Sequence, residues 1–401
     1  MKSLFPIFKN NPELVYLDSA ASSQKPQIVI DGVADFLAND YANIHRGLYS
    51  LSERSENLYH QSKTMLSDLI HCKESEIIYS YNSTYCFNLL AQALVNADSK
   101  GEKKIGHGDK VLVGIREHHS NILPWQTLAQ TFGFIVDFIG IDENYNIDRA
   151  DFEAKYDESV KVVSVSHVSN VTGQIMDVKT LKSKLRDDTF FIIDGSQSVP
   201  HFPVNVQEIG CDALIMTAHK MFAHTGLGML YLQQKRIKEL NPMILGGGTP
   251  KDVSTTDFSL QGNSDKREAG TPNIVGAVSL LKALEFIQSI GMGAIREHEK
   301  RLTALLIEGF REHEDWIRVF GSLDRVEERV GVFSFEIKGK SFNKIGEFFA
   351  NHNVCLRSGG HCAYPLHKSI NANGSVRVSI YLYNDEQDIQ SFFTVLDELG
   401  G

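Results

Sequence analysis

Phe190-Phe-Ile-Ile-Asp-Gly-Ser-Gln and Ala213-Leu-Ile-Met-Thr-Ala-His-Lys decide the fold of this chain. Each is a short apolar run that ends abruptly in polar, chemically able residues. The pattern recurs outward from them. Lys110 to Gly114, Ile135 to Ile139, Val160 to Val165 and Gly228 to Leu232 are further apolar runs, alternating with helical-looking segments. Such alternation predicts an α/β domain with a largely parallel sheet buried on both faces.

The periodicity then changes. From Val278 to Phe310 the sequence reads as helix, with Val278, Leu281, Leu284 and Ile287 on one face. Gly291 and Gly293 mark a break. Val332 to Ile337 and Val376 to Ile380 alternate, which predicts an antiparallel sheet with one face covered. Asn384 reads as the cap of a last helix carrying an Ile389, Phe392, Phe393 and Leu396 stripe. The expected organisation is a large α/β domain over 23–289, and a smaller α+β domain from 1–22 and 290–401.

Composition narrows the function. The chain has 401 residues, with 40 Lys plus Arg against 50 Asp plus Glu, a net charge of −10. An acidic chain repels phosphate backbones, so nucleic-acid binding is not expected. No apolar run approaches the roughly 18 residues a membrane span needs. Pro6 and Lys9 interrupt the N-terminal apolar stretch, which makes a poor secretion signal. The five cysteines are odd in number and lack a paired CxxC spacing. Reduced thiols, a cytoplasmic setting and no structural zinc are expected. The polar stretch from Ala97 to Gly108 reads as an exposed loop.

The strand ends carry the chemistry. Lys220 follows the Ala213 run and falls where open α/β sheets bind ligands. A desolvated lysine loses its proton more readily, and a neutral amine condenses with an aldehyde such as pyridoxal phosphate. Alone, a lysine in a Gly-rich turn is commonly an exposed loop residue. Asp194 ends its own run, where a buried carboxylate needs a cationic partner such as a protonated pyridine nitrogen. Asp-Gly-Ser also serves as an ordinary helix cap. His118 or His119, after Glu117, could stack on a cofactor ring; no H-E-x-x-H or cysteine pair supports zinc. Ser83 and Thr84 precede a helical stretch and suit either a phosphate cup or a simple cap.

These pieces, with others, resemble a known family. Tyr16-Leu-Asp-Ser-Ala-Ala-Ser, Asn43-Ile-His-Arg-Gly, Glu117-His-His-Ser-Asn-Ile-Leu-Pro-Trp-Gln and His167-Val-Ser-Asn-Val-Thr-Gly occur in order. Asp194-Gly-Ser-Gln, Ala218-His-Lys, Glu268-Ala-Gly-Thr-Pro-Asn and Arg357-Ser-Gly-Gly-His-Cys-Ala complete the series. Almost end to end, the chain is similar to the pyridoxal-phosphate-dependent cysteine desulfurases and selenocysteine lyases of the class V aminotransferases, most of all the SUF-type (group II) enzymes. The resemblance implies a fold-type I transferase with a mainly parallel, seven-stranded-type sheet.

The resemblance also implies roles. Lys220 would hold the cofactor aldehyde and later move protons at the substrate Cα. Asp194 would pair with the pyridine nitrogen, His118 would stack on the ring, and Gln197 would meet its hydroxyl. Ser83, Thr84, Thr217 and His219 would hold the phosphate. Thr271 would reach the phosphate of a neighbouring subunit, which requires a homodimer. Asn170 and Arg377 would bind the substrate carboxylate, with Arg357 also among the substrate-binding residues. Cys362 would be the nucleophile, activated by a cationic neighbour that either His361 or Arg357 could supply. For Arg377, Val376 and Val378 point to the opposite face, so a bidentate carboxylate clamp fits.

The implied reaction takes L-cysteine to alanine and leaves a persulfide on Cys362 for a sulfur acceptor of the SufE or SufU kind, in iron–sulfur cluster assembly. L-selenocysteine is the alternative substrate. Another class V aminotransferase or lyase would give Cys362 no role, and a non-catalytic sulfur-relay scaffold would form no persulfide from free cysteine. Three positions depart from the family pattern. Ala223-His224 stands where Gly-Pro is common, Tyr85 where an acidic residue is common, and Tyr49 near a place often held by histidine.

Overall fold

The computed structural model describes residues 1–45, 47–96, 101–261 and 267–400. The first four residues of the expected 97–108 loop lie outside them, as does Arg46 of the Asn43 motif.

The strands in chain order are β1 (Val15–Tyr16), β2 (Ile77–Ser80), β3 (Lys110–Gly114), β4 (Ile135–Ile139), β5 (Val160–Ser166), β6 (Phe190–Asp194), β7 (Ala213–Thr217) and β8 (Gly228–Leu232). They continue as β9 (Pro250–Val253), β10 (Phe258–Leu260), β11 (Ile317–Phe320), β12 (Val332–Ile337), β13 (Val354–Cys355), β14 (Arg357–Gly359) and β15 (Ser375–Ser379). A seven-stranded sheet has the order β2-β8-β7-β6-β5-β3-β4. It is parallel from β7 through β4, while β8 runs antiparallel to both its neighbours.

Burial on both faces explains the apolar runs. Leu112, Phe191, Ile193, Leu214 and Met216 enter one core, which helix Ile274–Ile290 helps cover. Val111, Val113, Ile192 and Ile215 enter the other, against helix Ser83–Val95 and Trp125. Ser166, Asp194 and Ile215 lie abreast in register, so β5, β6 and β7 release their carboxyl ends at one rim. β2, a four-residue strand, escaped the sequence reading because Ile77 to Ser80 is too short to show a period.

A second sheet, β11-β12-β15-β14, is antiparallel throughout. One face packs Phe333, Phe335, Val376 and Val378 against helices Met292–Glu312, Phe342–Asn351 and Glu386–Gly400. The expectation of a single covered face fails, because Ser334 and Arg377 on the other side are also buried. That face rests on the loop after β5: Ser334 Oγ donates to Val171 O at 2.6 Å, and Arg329 Nη2 donates to Thr172 O at 3.0 Å. Gly173 permits the close approach, since its φ is 72° and a Cβ there would lie 2.3 Å from Val332 O.

Two local expectations are corrected. The long helical stretch breaks only at Gly291 (φ 86°), with a 76° bend, and Gly293 lies inside the second helix. Asp385, not Asn384, caps the last helix, accepting from Asp388 N at 3.1 Å. Asn384 instead ties the helix start to the chain's beginning by donating to Tyr16 O at 3.0 Å.

Candidate active site

The sheet rim fixes the first half of the site. β7 ends at Thr217 and turns at once through Ala218–Lys220. The segment Ser22 to Lys25 holds that turn from outside: Ser23 N donates to His219 O at 3.1 Å, and Phe222 N donates to Ser23 Oγ at 2.8 Å. Partly buried, Lys220 has its ammonium pushed down to about 8, first by burial. Asp194 opposes that shift; Arg377 and Arg357 add to it. A fraction of the amine is therefore neutral near neutrality.

Asp194 is buried, and its Oδ1 accepts from Ser196 N at 2.9 Å. It caps a turn, as one sequence reading expects, and its charge also acts on Lys220. His118 sits above the rim after β3. Its Nδ1 accepts from Ser120 N at 3.2 Å, which leaves the proton on Nε2. Burial, then Lys220, holds its pKa down at about 3, so the ring is neutral. Beneath it Glu117 is pushed up to about 7 by burial, although Ser166 N and Asn121 Nδ2 donate to it at 2.8 Å each.

A helix start completes this half. Helix Ser83–Val95 is capped by Asn82, whose side chain accepts from Tyr85 N. Gly228 of β8 pairs with Thr217 of β7 on one side and with Ser80 of β2 on the other, so Ser83 and Thr84 come in beside Thr217. Thr84 Oγ1 lies 2.7 Å from Ser120 Oγ, which lies 3.0 Å from His118 Nδ1.

The second sheet supplies the other half. Arg357 and Arg377 are directly paired across β14 and β15. Like charges placed opposite each other are unfavourable unless an anion joins them. Asp18 is one such anion: Arg377 Nη2 donates to its Oδ1 at 3.0 Å. Sequence reasoning missed Asp18, because a partner 359 residues away leaves no local signal. Arg377 Nη1 donates to Asn170 O at 3.1 Å, and Nε has no partner. Asn170 Nδ2 donates to His361 O at 2.8 Å, so this side chain already grips the protein.

Of the two cations offered for Cys362, the structure selects Arg357, whose Nη2 reaches Sγ at 3.5 Å. His361 does not serve. It is buried, and burial followed by Arg377 holds it well below its ordinary range, so it carries no charge. Its Nε2 lies 2.9 Å from Ser375 Oγ. The other thiols are inert by comparison: burial pushes Cys86 up to about 12 and raises Cys72, Cys211 and Cys355 as well.

The residues fit pyridoxal phosphate. Gln197 Oε1, Thr217 Oγ1 and His219 Nδ1 are buried polar atoms without a protein partner, all at the rim around Lys220. Buried polar atoms are rarely left so. Gln197 Nε2 meanwhile donates to Ala20 O at 2.8 Å, which aims its bare oxygen. Thr271 stands apart: it is exposed and lines a cavity with Tyr79, Tyr81, Leu227 and Arg267, which Thr217, His219 and Lys220 do not line. The departures are peripheral. Tyr85 is exposed against Tyr81, with ring centroids 5.1 Å apart, while Ala223 is buried and His224 N donates to Ser279 Oγ at 3.0 Å.

A model of the aminotransferase class-V family matches residues 15–392. The chain belongs to that family. Among curated class-V relatives, a probable cysteine desulfurase of Pyrococcus abyssi is 34 % identical, covering 96 % of this chain and 94 % of that one. A probable cysteine desulfurase of Synechocystis is 33 % identical over 98 % of this chain and 93 % of its own. Among solved structures, the apo cysteine desulfurase of Thermococcus onnurineus superposes with a TM-score of 0.92 at 33 % identity, covering 99 % of this chain and 96 % of that one. The cysteine desulfurase CsdA of Escherichia coli gives 0.89 at 25 %, covering 99 % and 96 %.

Proposed function

We propose that this class-V protein is a pyridoxal-phosphate-dependent cysteine desulfurase. It converts L-cysteine to L-alanine and leaves the sulfur as a persulfide on Cys362. The observation that carries the reading is the meeting of two halves. Lys220, Asp194 and His118 stand on the large sheet's rim, and the loops of that rim hold the other half: His119 N donates to Cys362 O at 2.7 Å, and Arg377 of the second sheet donates to Asn170 O at 3.1 Å.

Bound pyridoxal phosphate supplies an aldehyde for amine exchange and a ring that withdraws electron density from the substrate Cα. The chain's residues do the rest. Neutral Lys220 holds the aldehyde and then carries the proton at Cα. Asp194 keeps the pyridine nitrogen protonated, and neutral His118 covers the ring face. Ser83, Thr84, Thr217 and His219 hold the phosphate, and Gln197 Oε1 takes the ring hydroxyl. The paired guanidinium groups of Arg377 and Arg357 receive the substrate carboxylate. Cys362 attacks as thiolate: a sulfur–sulfur bond forms, the substrate Cβ–S bond breaks, and its electron pair returns to the substrate carbon, which is reprotonated to alanine.

Three finer readings complete the proposal. Thr271 serves a second copy of the chain, supported by its exposure beside exposed Tyr81 and Ile244. The persulfide passes to a small acceptor protein of the SufE or SufU kind for iron–sulfur assembly in the cytoplasm, supported by the partial exposure of Cys362 and the exposed Tyr364 beside it. L-Cysteine is the substrate in preference to L-selenocysteine, a choice the sequence leaves open and the cysteine desulfurase names of the relatives support; comparison of alanine release from the two amino acids tests it. The decisive experiment is incubation with L-cysteine and mass spectrometry of the Cys362 peptide. A gain of one sulfur that needs both Lys220 and pyridoxal phosphate is expected; alanine formed at full rate by Cys362→Ser would end the proposal.

A further inference from the structure

The loop that carries Cys362 is strained. His361 (φ 47°) and Cys362 (φ 56°) are consecutive non-glycine residues in the left-handed region. Single residues visit it at some cost, and a pair persists only when the surroundings over-determine it. Three contacts from the large sheet's loops do so. Asn170 Nδ2 holds His361 O at 2.8 Å. The backbone N–H of His119 donates to Cys362 O at 2.7 Å. The His119 side chain then accepts, at Nε2, the backbone N–H of Tyr364 at 3.1 Å. Its ring also lies 5.0 Å from that of Tyr364 at an angle of 40°. One residue thus brackets Ala363 from both sides, and Ala363 N closes the turn onto Gly360 O at 2.8 Å.

We propose that His119 is the positioning residue for the Cys362 loop: its main chain and its imidazole together latch the strained turn so that Sγ is kept at Arg357. One of the two bonds depends on a side chain seated against an exposed tyrosine, so it can be removed by substitution without touching the main-chain bond. His119 touches neither end of the Lys220 machinery through this contact, so its role is separate from that of His118.

The inference rests on the desulfurase reading only for the importance of Cys362; the latch itself is read without turnover. The test uses the full chain loaded with pyridoxal phosphate, as wild type, His119→Ala, His119→Gln and Tyr364→Ala. Three quantities are measured: hydrogen exchange in the 360–364 segment, modification of Cys362 by a bulky maleimide, and the KM and kcat for L-cysteine. In His119→Ala, exchange and maleimide modification are expected to rise about tenfold, with kcat lowered and KM little changed. Glutamine offers a carboxamide oxygen to Tyr364 N–H and is expected to recover most of the protection. Tyr364→Ala keeps the N–H and loses only the ring contact, so it falls between the two. Wild-type exchange and modification in His119→Ala would overturn the latch, as would His119→Gln behaving like alanine while both retain cofactor absorbance and melting temperature. A latch confirmed by exchange in a protein that forms no persulfide would keep this inference and remove the functional one.

Discussion

The Lys220 rim and the Cys362 loop meet in one site but are held by opposite means. The rim is the end of three parallel strands buried on both faces, with register fixed from β5 through β7. A slip there would turn every side chain to the wrong core. The loop has no such ladder beyond the three residues of β14. It lies in strained backbone and is kept by single hydrogen bonds from distant segments. A group that anchors a cofactor benefits from the first arrangement. A group that must take sulfur in and hand it on benefits from the second.

The largest effect that separates the two regions comes from deleting each reactive atom. Lys220→Ala is expected to abolish both turnover and the cofactor's lysine-linked absorbance. Cys362→Ser is expected to abolish persulfide and turnover while leaving that absorbance intact. Losses of turnover of ~10³-fold or more suit nucleophile deletions. Finding that Cys362→Ser disturbs the absorbance as much as Lys220→Ala would mean that the halves are not separable.

Next in size are the cations. Arg377→Ala removes the buried partner of Asp18; because that carboxylate is itself 22 % exposed, the cost falls below the ~3 kcal/mol typical of a fully buried pair. A lower melting temperature and a raised KM for L-cysteine are expected together. Arg357→Ala loses the contact to Sγ at 3.5 Å without breaking the Asp18 ion pair. It is expected to slow maleimide modification of Cys362 with little change in melting temperature. If both variants lower stability equally, the distinction between buried and poised arginine fails.

The smallest expected effect is in pH. Lys220 is depressed to about 8, so its neutral fraction rises from about a tenth at pH 7 to a half at pH 8. Uptake of pyridoxal phosphate by the apo chain should therefore quicken about fivefold between those pH values, read as growth of cofactor absorbance. The linkage sign follows from the same shift. The folded pKa lies below the unfolded value near 10.4, so the unfolded chain binds the extra proton between the two. Wild-type apo stability should gain on Lys220→Met as pH rises from 8 to 10.4, modestly because Lys220 is partly exposed. A difference that is flat across that window would contradict the depressed lysine.

Sequence legibility follows the same division. Asp194 and Lys220 were readable because buried strands are continuous apolar runs, and a polar residue that ends one is conspicuous. The choice between His361 and Arg357 was not readable. Both sit near Cys362 in sequence, and only burial shows that the histidine is neutral. The full cover on β12 and β15 was hidden for a related reason. Ser334 and Arg377 are polar and alternate like solvent-facing residues, yet their partners are carbonyls of the loop after β5. Asp18, Asn170 and His119 act across 191 to 359 residues of sequence. Such contacts leave no periodic trace. The resemblance placed Asn170 near the substrate, but its grip on the cysteine loop is a matter of three-dimensional closure.

Gly228 joins the two scales of this molecule. A Cβ on it would meet the main chain of Asn82 at 2.2 Å, so that strand residue and the start of helix Ser83–Val95 press together bare. Any methyl group there would pry the helix's amide-rich tip away from Thr217. The spot needs no charge, proton or nucleophile of its own, yet it sets how near the helix start lies to Thr217. Tolerance to substitution at this first residue of β8 would thereby be tied to coenzyme affinity, and a screen that looks only at reactive side chains would overlook it.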